Sequence, residues 1–337
     1  MISRDSTQLA ATFRGRVALV TGGFGFIGSN LVLRLIKLGA EVRVLAHSWP
    51  PPSEGSDEYR HPNVQLFKGD IRDEAMVHEA AERCDFVFHL AGKSGASASN
   101  ESPVEDLDVN CRGLLLLLNA LRLLSPDAVV VFPSSRLVYA PNLSLPVSEL
   151  AETLPLSIYG AHKLTAESYL HIYRRQFGLK SVVLRITNPY GPFQRPEQRS
   201  YGVINQFIHE AVRGQTITLF GKGDQLRDYI HIEDVVEAMV MVAASPAALN
   251  GTYNVGSGIG TSLAELARLI VDVAGDGKVE HIAWPESEAR VETGDFCADI
   301  SRIKTTIGWT SKVALRDGIG DVISQLRKSP DRRFRAD

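Results

Sequence analysis

Residues 16–38 limit the fold more than any other stretch of this chain. The apolar, β-branched run Arg16-Val-Ala-Leu-Val-Thr21 passes into Gly22-Gly23-Phe24-Gly25-Phe26-Ile27-Gly28. It then enters Ser29-Asn-Leu-Val-Leu-Arg-Leu-Ile-Lys-Leu38, whose apolar residues recur at helical spacing. A glycine turn can close any strand, but strand, glycine turn and helix in this order form the context of a dinucleotide site. Gly22 and Gly25 would permit the tight turn and let backbone approach a pyrophosphate. Gly28 would let the helix lie close to the strand, and the helix N-terminus would present unpaired N–H groups to phosphate.

Downstream, strand-like runs alternate with amphipathic helices. Strands are expected at residues 41–46, 63–68, 85–90, 128–133 and 181–186, with Gly69-Asp70-Ile71-Arg72-Asp73 opening a helix and a long helix over 106–124. Such βαβ alternation implies an α/β fold, a Rossmann-type doubly wound parallel sheet. Ligands on these sheets bind beyond the carboxyl ends of the strands. The glycine turn, Gly92, Ser135 and the loop after Ile186 therefore fall on one rim. After residue 188 the Gly/Pro punctuation thickens and helices at 201–213 and 263–274 suggest a smaller C-terminal substrate-binding α/β domain. The expected organisation is a disordered extension (1–15), a dinucleotide-binding domain (16–188 plus 228–255), a second domain (189–227 plus 256–327) and a tail (328–337).

Composition removes several function classes. A formal charge of −3 over 337 residues provides no basic field for nucleic acid. Three cysteines, Cys84, Cys111 and Cys297, are far apart and indicate neither a disulfide framework nor a metal site. The most apolar segment, Leu114 to Leu124, contains Asn119 and Arg122 and is too short to span a bilayer. Residues 1–15 lack the apolar core of a signal peptide, so a cytoplasmic protein without membrane attachment is expected.

One further motif carries chemistry. In Tyr159-Gly-Ala-His-Lys163 the phenol and the ammonium share a helix face, being four residues apart. A phenol ordinarily titrates near pH 10, and a neighbouring ammonium favours its phenolate. Ser134-Ser135, at the end of the fifth strand-like run, can orient a substrate oxygen against that phenol. Taken alone, Tyr-x-x-x-Lys is frequent by chance and usually marks a solvated helix face.

The ordered set of motifs resembles the extended short-chain dehydrogenase/reductases of the nucleotide-sugar epimerase and dehydratase group, over residues 16 to 327. The set comprises Thr21-Gly-Gly-Phe-Gly-Phe-Ile-Gly28, Gly69-Asp-Ile71, His89-Leu-Ala-Gly92, Val109-Asn110 and Ser134-Ser-Arg-Leu-Val-Tyr139. It continues with Tyr159-Gly-Ala-His-Lys163, Leu184-Arg-Ile-Thr-Asn-Pro-Tyr-Gly-Pro192, Gly221-Lys-Gly-Asp-Gln-Leu-Arg-Asp-Tyr-Ile-His231 and Gly308-Trp309. The resemblance implies bound NAD, with Gly22, Gly25, Phe26, Ile27, Gly28, His47, Leu90, Ala91, Gly92, Pro133 and Ile186 along the cofactor. Asp70 and Ile71 would contact adenine, although Asp70 also suits a helix cap. Lys163 would hold the nicotinamide ribose while it lowers the Tyr159 pKa, and Asn110 would tie backbone together. Asn188 and Arg227 would hold the diphosphate of a nucleotide sugar, with Arg290 a second phosphate candidate. Phe220 would lie near the base or in the core.

Departures from the pattern narrow the reaction. Dehydratases of the group follow the strand-five Ser/Thr with an Asp-Glu pair, and decarboxylases carry a Glu at the second of those positions. Here the residues are Arg136 and Leu137, so the acid and base that elimination needs are missing. Arg136 is either a surface or packing residue or a partner for an acidic sugar. At the end of strand two, Ala46-His47-Ser48 replaces the acidic residue that holds a ribose 2′-OH, which leaves NADP open beside NAD. The resemblance therefore implies a nucleotide-sugar 4-epimerase, with UDP-sugars foremost, or a 4-ketoreductase using NAD(P)H. A catalytically silent binding module is the third reading. The family habit of pairing two apolar helices implies a homodimer.

Overall fold

The structure is a computed structural model and describes residues 4–48, 61–194, 202–289 and 292–328. From the N-terminus the chain forms α1 (Arg4–Phe13), β1 (Val17–Thr21), α2 (Phe26–Lys37), β2 (Glu41–Ala46), β3 (Val64–Lys68), α3 (Glu74–Ala81) and β4 (Phe86–His89). Two short helices, α4 (Ala96–Glu101) and α5 (Pro103–Leu107), lead through a π-turn at Asp108–Arg112 into α6 (Gly113–Leu124). Then come β5 (Val129–Ser135), α7 (Ile158–Phe177), β6 (Lys180–Ile186), β7 (Asn188–Tyr190), α8 (Val203–Val212), β8 (Thr216–Phe220) and β9 (Leu226–His231). The chain finishes with α9 (Ile232–Ala244), β10 (Thr252–Val255), β11 (Gly260–Ser262), α10 (Leu263–Ala274), β12 (Lys278–Ile282), α11 (Glu286–Ala289), α12 (Ser301–Ile307) and α13 (Leu315–Lys328).

Seven strands make the central sheet in the order β10-β6-β5-β4-β1-β2-β3, and each pairing within it is parallel. A parallel sheet is covered on both faces, which is why β4 begins Phe86-Val87-Phe88 and the middle of β6 reads Val182-Val183-Leu184. On one face Leu31, Leu35, Val235 and Met239 of α2 and α9 complete a core with Val20, Val44 and Leu184. On the other, Val77, Leu114, Leu117, Leu121, Ala166 and Leu170 of α3, α6 and α7 pack on Leu19, Val87 and Phe132. A separate core joins α8, α10 and α13 with Ile217 and Leu219 of β8. In that part, β8 pairs with β12, while β9 lies between β7 and β11 in a small sheet of three.

Three expectations change. Residues 4–13 are not a disordered extension but the helix α1, with Phe13 fully buried and its ring 4.6 Å from that of Phe86. The polar sequence hid this because only Leu9 and Phe13 need to face the core. The expected long helix over 106–124 begins earlier, at α5, and contains the π-turn, where an extra residue re-aims the side chains. Helix α3 is capped not by Asp70 but by Asp73, whose carboxylate accepts the Ala75 and Met76 N–H groups; this frees Asp70 from the capping role.

The candidate active site

The order of the sheet reverses between β1 and β4, and the loops leaving these strands open a crevice at that point. Gly22 adopts φ +69°, and a Cβ there would stand 2.8 Å from the Ala91 nitrogen. A Cβ at Gly28 would overlap the Gly22 carbonyl oxygen. Only glycine lets the turn fold this close to both α2 and the β4 loop. The two strand ends are locked together, because Thr21 Oγ1 lies 2.9 Å from His89 Nδ1 and accepts the Ala91 N–H at 3.1 Å. Burial drives the His89 pKa down to about 3, so its ring stays neutral in this contact.

Beyond the ends of β2 and β3, His47, Asp70 and Ile71 line the same crevice. Arg72 grips the Asp70 carboxylate through Nε at 2.8 Å and Nη2 at 2.7 Å. That side-chain bond, against the opposing effect of burial, holds the Asp70 pKa at about 2. Arg43 turns away from the crevice, donating to the carbonyls of Ala80 and Glu82. It is thus unavailable to a ribose 2′-phosphate.

At the end of β5, α7 delivers the tyrosine and the lysine. Ser157 Oγ caps α7 by accepting the Gly160 N–H at 3.2 Å, and the Tyr159 N–H donates to Ser99 Oγ at 2.9 Å. A Cβ at Gly160 would overlap the Leu137 carbonyl oxygen. Glycine therefore lets the helix start lie directly on the turn that follows Ser135. Lys163 Nζ donates to the Pro133 carbonyl at 2.9 Å and sits 4.6 Å from the Phe132 ring centroid and 5.7 Å from that of Tyr159. Burial lowers the Lys163 pKa to about 8, with Asp106, Cys111 and Glu167 opposing the shift. The ammonium is charged at neutral pH and close to the phenol. Ser135 Oγ accepts the Leu137 N–H at 3.1 Å and keeps its own proton to donate.

Supporting residues that sequence reading passed over hold this arrangement. Glu167, one helical turn beyond Lys163, accepts from Ser134 Oγ at 2.5 Å and pairs with buried Arg185 at 2.7 Å. Its spacing of four from Lys163 was the available signal. Asp106 receives His162 Nδ1 at 2.6 Å and Asn110 Nδ2 at 2.9 Å. Asn110 also bonds both the N–H and the carbonyl of Lys93. The π-turn thereby fixes the loop after β4 to α7.

At the far end, Arg227 donates to Glu292 at 2.5 Å and to the Leu226 and Gly294 carbonyls, each at 2.8 Å. Asn188 Nδ2 donates to the Asp228 carbonyl at 2.9 Å, and its Oδ1 accepts from Arg136 Nε at 3.4 Å. The Phe220 ring lies 5.5 Å from Trp284, at the cavity rather than within the core. Glu292, Thr293 and Trp284 were not legible because they arrive from a distant part of the chain. Arg290 lies outside the described residues.

One cavity of about 830 Å³ runs past all of these groups, from the glycine turn through Ser135, Tyr159 and Lys163 to Asn188, Phe220 and Arg227. Its wall fits a dinucleotide: the glycine cradle excludes side chains where phosphates must approach backbone. Ser94 Oγ, Thr187 Oγ1 and Gln225 Nε2 also line it, buried and without a partner among the described residues, and such atoms call for a polar ligand. No cluster of metal-ligating side chains occurs among the described residues, and none of their helices is long and apolar enough to cross a membrane.

Comparison with known proteins agrees with this geometry. The model of the NAD dependent epimerase/dehydratase family matches residues 18–256. A UDP-glucose 4-epimerase of Mycolicibacterium smegmatis is 33% identical over 323 residues, covering 92% of this chain and 98% of the relative. The crystal structure of a Thermotoga maritima UDP-glucose 4-epimerase with UDP-glucose superposes with a TM-score of 0.85 at 31% identity, covering 94% of this chain and all of that one. A Thermus thermophilus UDP-glucose 4-epimerase in complex with NAD gives a TM-score of 0.82 at 31% identity, covering 92% and 99%. Glycine cradle, tyrosine–lysine pair and family match coincide over the same residues, and the chain belongs to the NAD dependent epimerase/dehydratase family.

Proposed function

We propose that this protein is a nucleotide-sugar 4-epimerase acting on UDP-sugars, with NAD as its resident cofactor. The observation that carries the reading is the meeting of Ser135, Tyr159 and Lys163 at the mouth of the glycine cradle, with Arg136 and Leu137 where elimination would require acids. NAD, when bound, would accept and return a hydride at sugar C4. Gly22, Gly25 and Gly28 with Phe26 and Ile27 would hold its diphosphate, Asp70 and Ile71 its adenine, and Leu90, Ala91, Gly92, Pro133 and Ile186 its inner face. His47 would border the adenosine ribose.

The chain's own groups manage the proton. Tyr159, as phenolate, takes the proton of the sugar 4-hydroxyl and returns it to the same oxygen. Lys163 favours the phenolate through its charge, and the Pro133 carbonyl fixes its position. Ser135 Oγ steers the reacting oxygen toward Tyr159. Arg227 holds the sugar diphosphate with a fork of donors suited to phosphate oxygens, and Glu292 occupies that fork until the ligand arrives. Phe220 and Trp284 flank the base. On the division proposed for residues 16–188 plus 228–255 and 189–227 plus 256–327, the cofactor groups would belong to the first part and most diphosphate and base contacts to the second.

We further assign the protein to the cytoplasm as a homodimer. All three cysteines are free and buried, as suits a reducing compartment. Helices α5, α6 and α7 leave Val104, Leu107, Leu123, Ile172 and Phe177 exposed, an apolar face suited to a second copy.

The test is turnover without added cofactor. The purified protein should retain NAD and interconvert UDP-glucose and UDP-galactose, or the matching hexuronates, as read by NMR. Tyr159→Phe should bind the nucleotide sugar as before and lose at least about 10²-fold in kcat, the lower end for general acid–base groups. Turnover surviving that change, or consumption of NADPH with a 4-keto sugar nucleotide, would overturn the assignment.

A further inference from the structure

Arg136 is a charged side chain of the cavity wall to which the epimerase reading gives no task. It follows Ser135 directly and lines the same cavity. Nη1 donates to Thr293 Oγ1 at 2.9 Å, Nε reaches Asn188 Oδ1 at 3.4 Å, and the guanidinium lies 5.5 Å from the Phe296 ring centroid. Both hydrogen-bond partners are neutral. A guanidinium carries five N–H donors, so its fork is aimed and only partly used. The nearby carboxylate of Glu292 is bonded to Arg227 instead. Burial first and the neighbouring Arg227 next depress the Arg136 pKa to about 9, the direction expected of a buried cation with little compensation. In the same wall, between Ile186 and Asn188, the Thr187 hydroxyl is buried with no partner among the described residues.

We infer that Arg136 is a specificity-determining residue that reads a carboxylate on the sugar, so that the preferred substrates are nucleotide-linked hexuronates rather than neutral hexoses. The inference rests on the epimerase reading, which places the 4-hydroxyl at Ser135 and Tyr159. In a hexopyranose the carbon next to C4 bears the C6 substituent. Arg136 lines the same cavity as Ser135 and Tyr159, so its fork is the charged group offered to whatever C6 carries. A 6-hydroxyl offers this fork one neutral oxygen, whereas a 6-carboxylate offers two charged ones in a matching plane. The diphosphate has its own guanidinium in Arg227, bonded to two carbonyls and Glu292.

Calorimetric titration of the NAD-loaded Tyr159→Phe protein separates recognition from turnover. UDP-glucuronate should bind about 10- to 100-fold more tightly than UDP-glucose, the range of one charge-assisted hydrogen-bonded pair. Adding Arg136→Gln should abolish that ratio and leave the affinity for UDP unchanged, which also reports an intact fold. Arg136→Lys should restore part of the ratio, since a point charge replaces the fork. Equal affinity for the two sugars before the second substitution overturns the inference. So does a loss shared by UDP, UDP-glucose and UDP-glucuronate, which would make Arg136 a diphosphate ligand. Wild-type protein that prefers UDP-glucuronate in binding but epimerises no sugar would sink the epimerase reading alone. Epimerisation with no preference would sink the specificity alone.

Discussion

At the scale of single residues, the site turns on how Lys163 is kept charged. Its ammonium is buried against Phe132, bonded to the Pro133 carbonyl and opposed by no second cation in direct contact among the described residues. Burial brings its pKa to about 8, so the charge that favours the Tyr159 phenolate is present below that pH and lost above it. The expected profile of kcat/KM, which reports groups of the free enzyme, therefore falls as pH rises through about 8. Lys163→Arg keeps the charge at every accessible pH; its activity should be lower throughout but lack that alkaline limb. A limb at the same pH in both proteins would show that another group causes it. The pairing of Tyr159 with Lys163 was legible from spacing only once the glycine turn and Ser135 supplied its context. Glu167 and Gly160 were not read, because their roles depend on Ser134 and Leu137, which approach only after β5 and α7 pack.

At the scale of elements, α1 is the clearest departure from expectation. A ten-residue helix with two core-facing side chains has almost no signal in composition. Its formation is a tertiary effect: Phe13 fills space beside Phe86, and short helices are marginal without such packing. Phe13→Ala should cost about 3–5 kcal/mol in urea unfolding, the usual range for a buried aromatic truncation. An unchanged midpoint would mean that α1 is not docked. The π-turn before α6 is a second such case. Periodicity read the region as one helix because the π-turn changes which way residues point without interrupting the apolar run. Its effect is to set Asn110 against the Lys93 backbone and Asp106 against His162.

For the molecule as a whole, assembly is the testable matter. Of the exposed apolar residues, Ile172 and Phe177 lie on α7, the helix that also carries Tyr159 and Lys163, so pairing there would brace the site from behind. Sedimentation velocity should give a dimer at micromolar concentration. Val104→Glu with Ile172→Glu should shift it to monomer, since unpaired charges are costly to bury. A monomeric wild-type protein would remove the assignment. The sheet order was legible as a class, parallel and doubly wound, from the alternation of elements. Placement of β9 in a separate small sheet was not, because β-pairing partners far apart in sequence leave no local trace.

The sequence by itself determined the glycine turn proposed as the cofactor cradle and the pair proposed to react. Both depend on short-range rules: glycine at positive φ after a strand, and residues four apart on a helix face. It also marked the loss of the acidic pair at Arg136 and Leu137, since residue identity at a fixed offset from Ser135 needs no coordinates. Only the tertiary structure decided what stands opposite these groups. Thr293, Glu292 and Trp284 come to Arg136, Arg227 and Phe220 from segments far along the chain. The physical reason is that backbone geometry and helical period act over a few residues. The charge balance and exposure of a cavity wall are sums over everything that packs there.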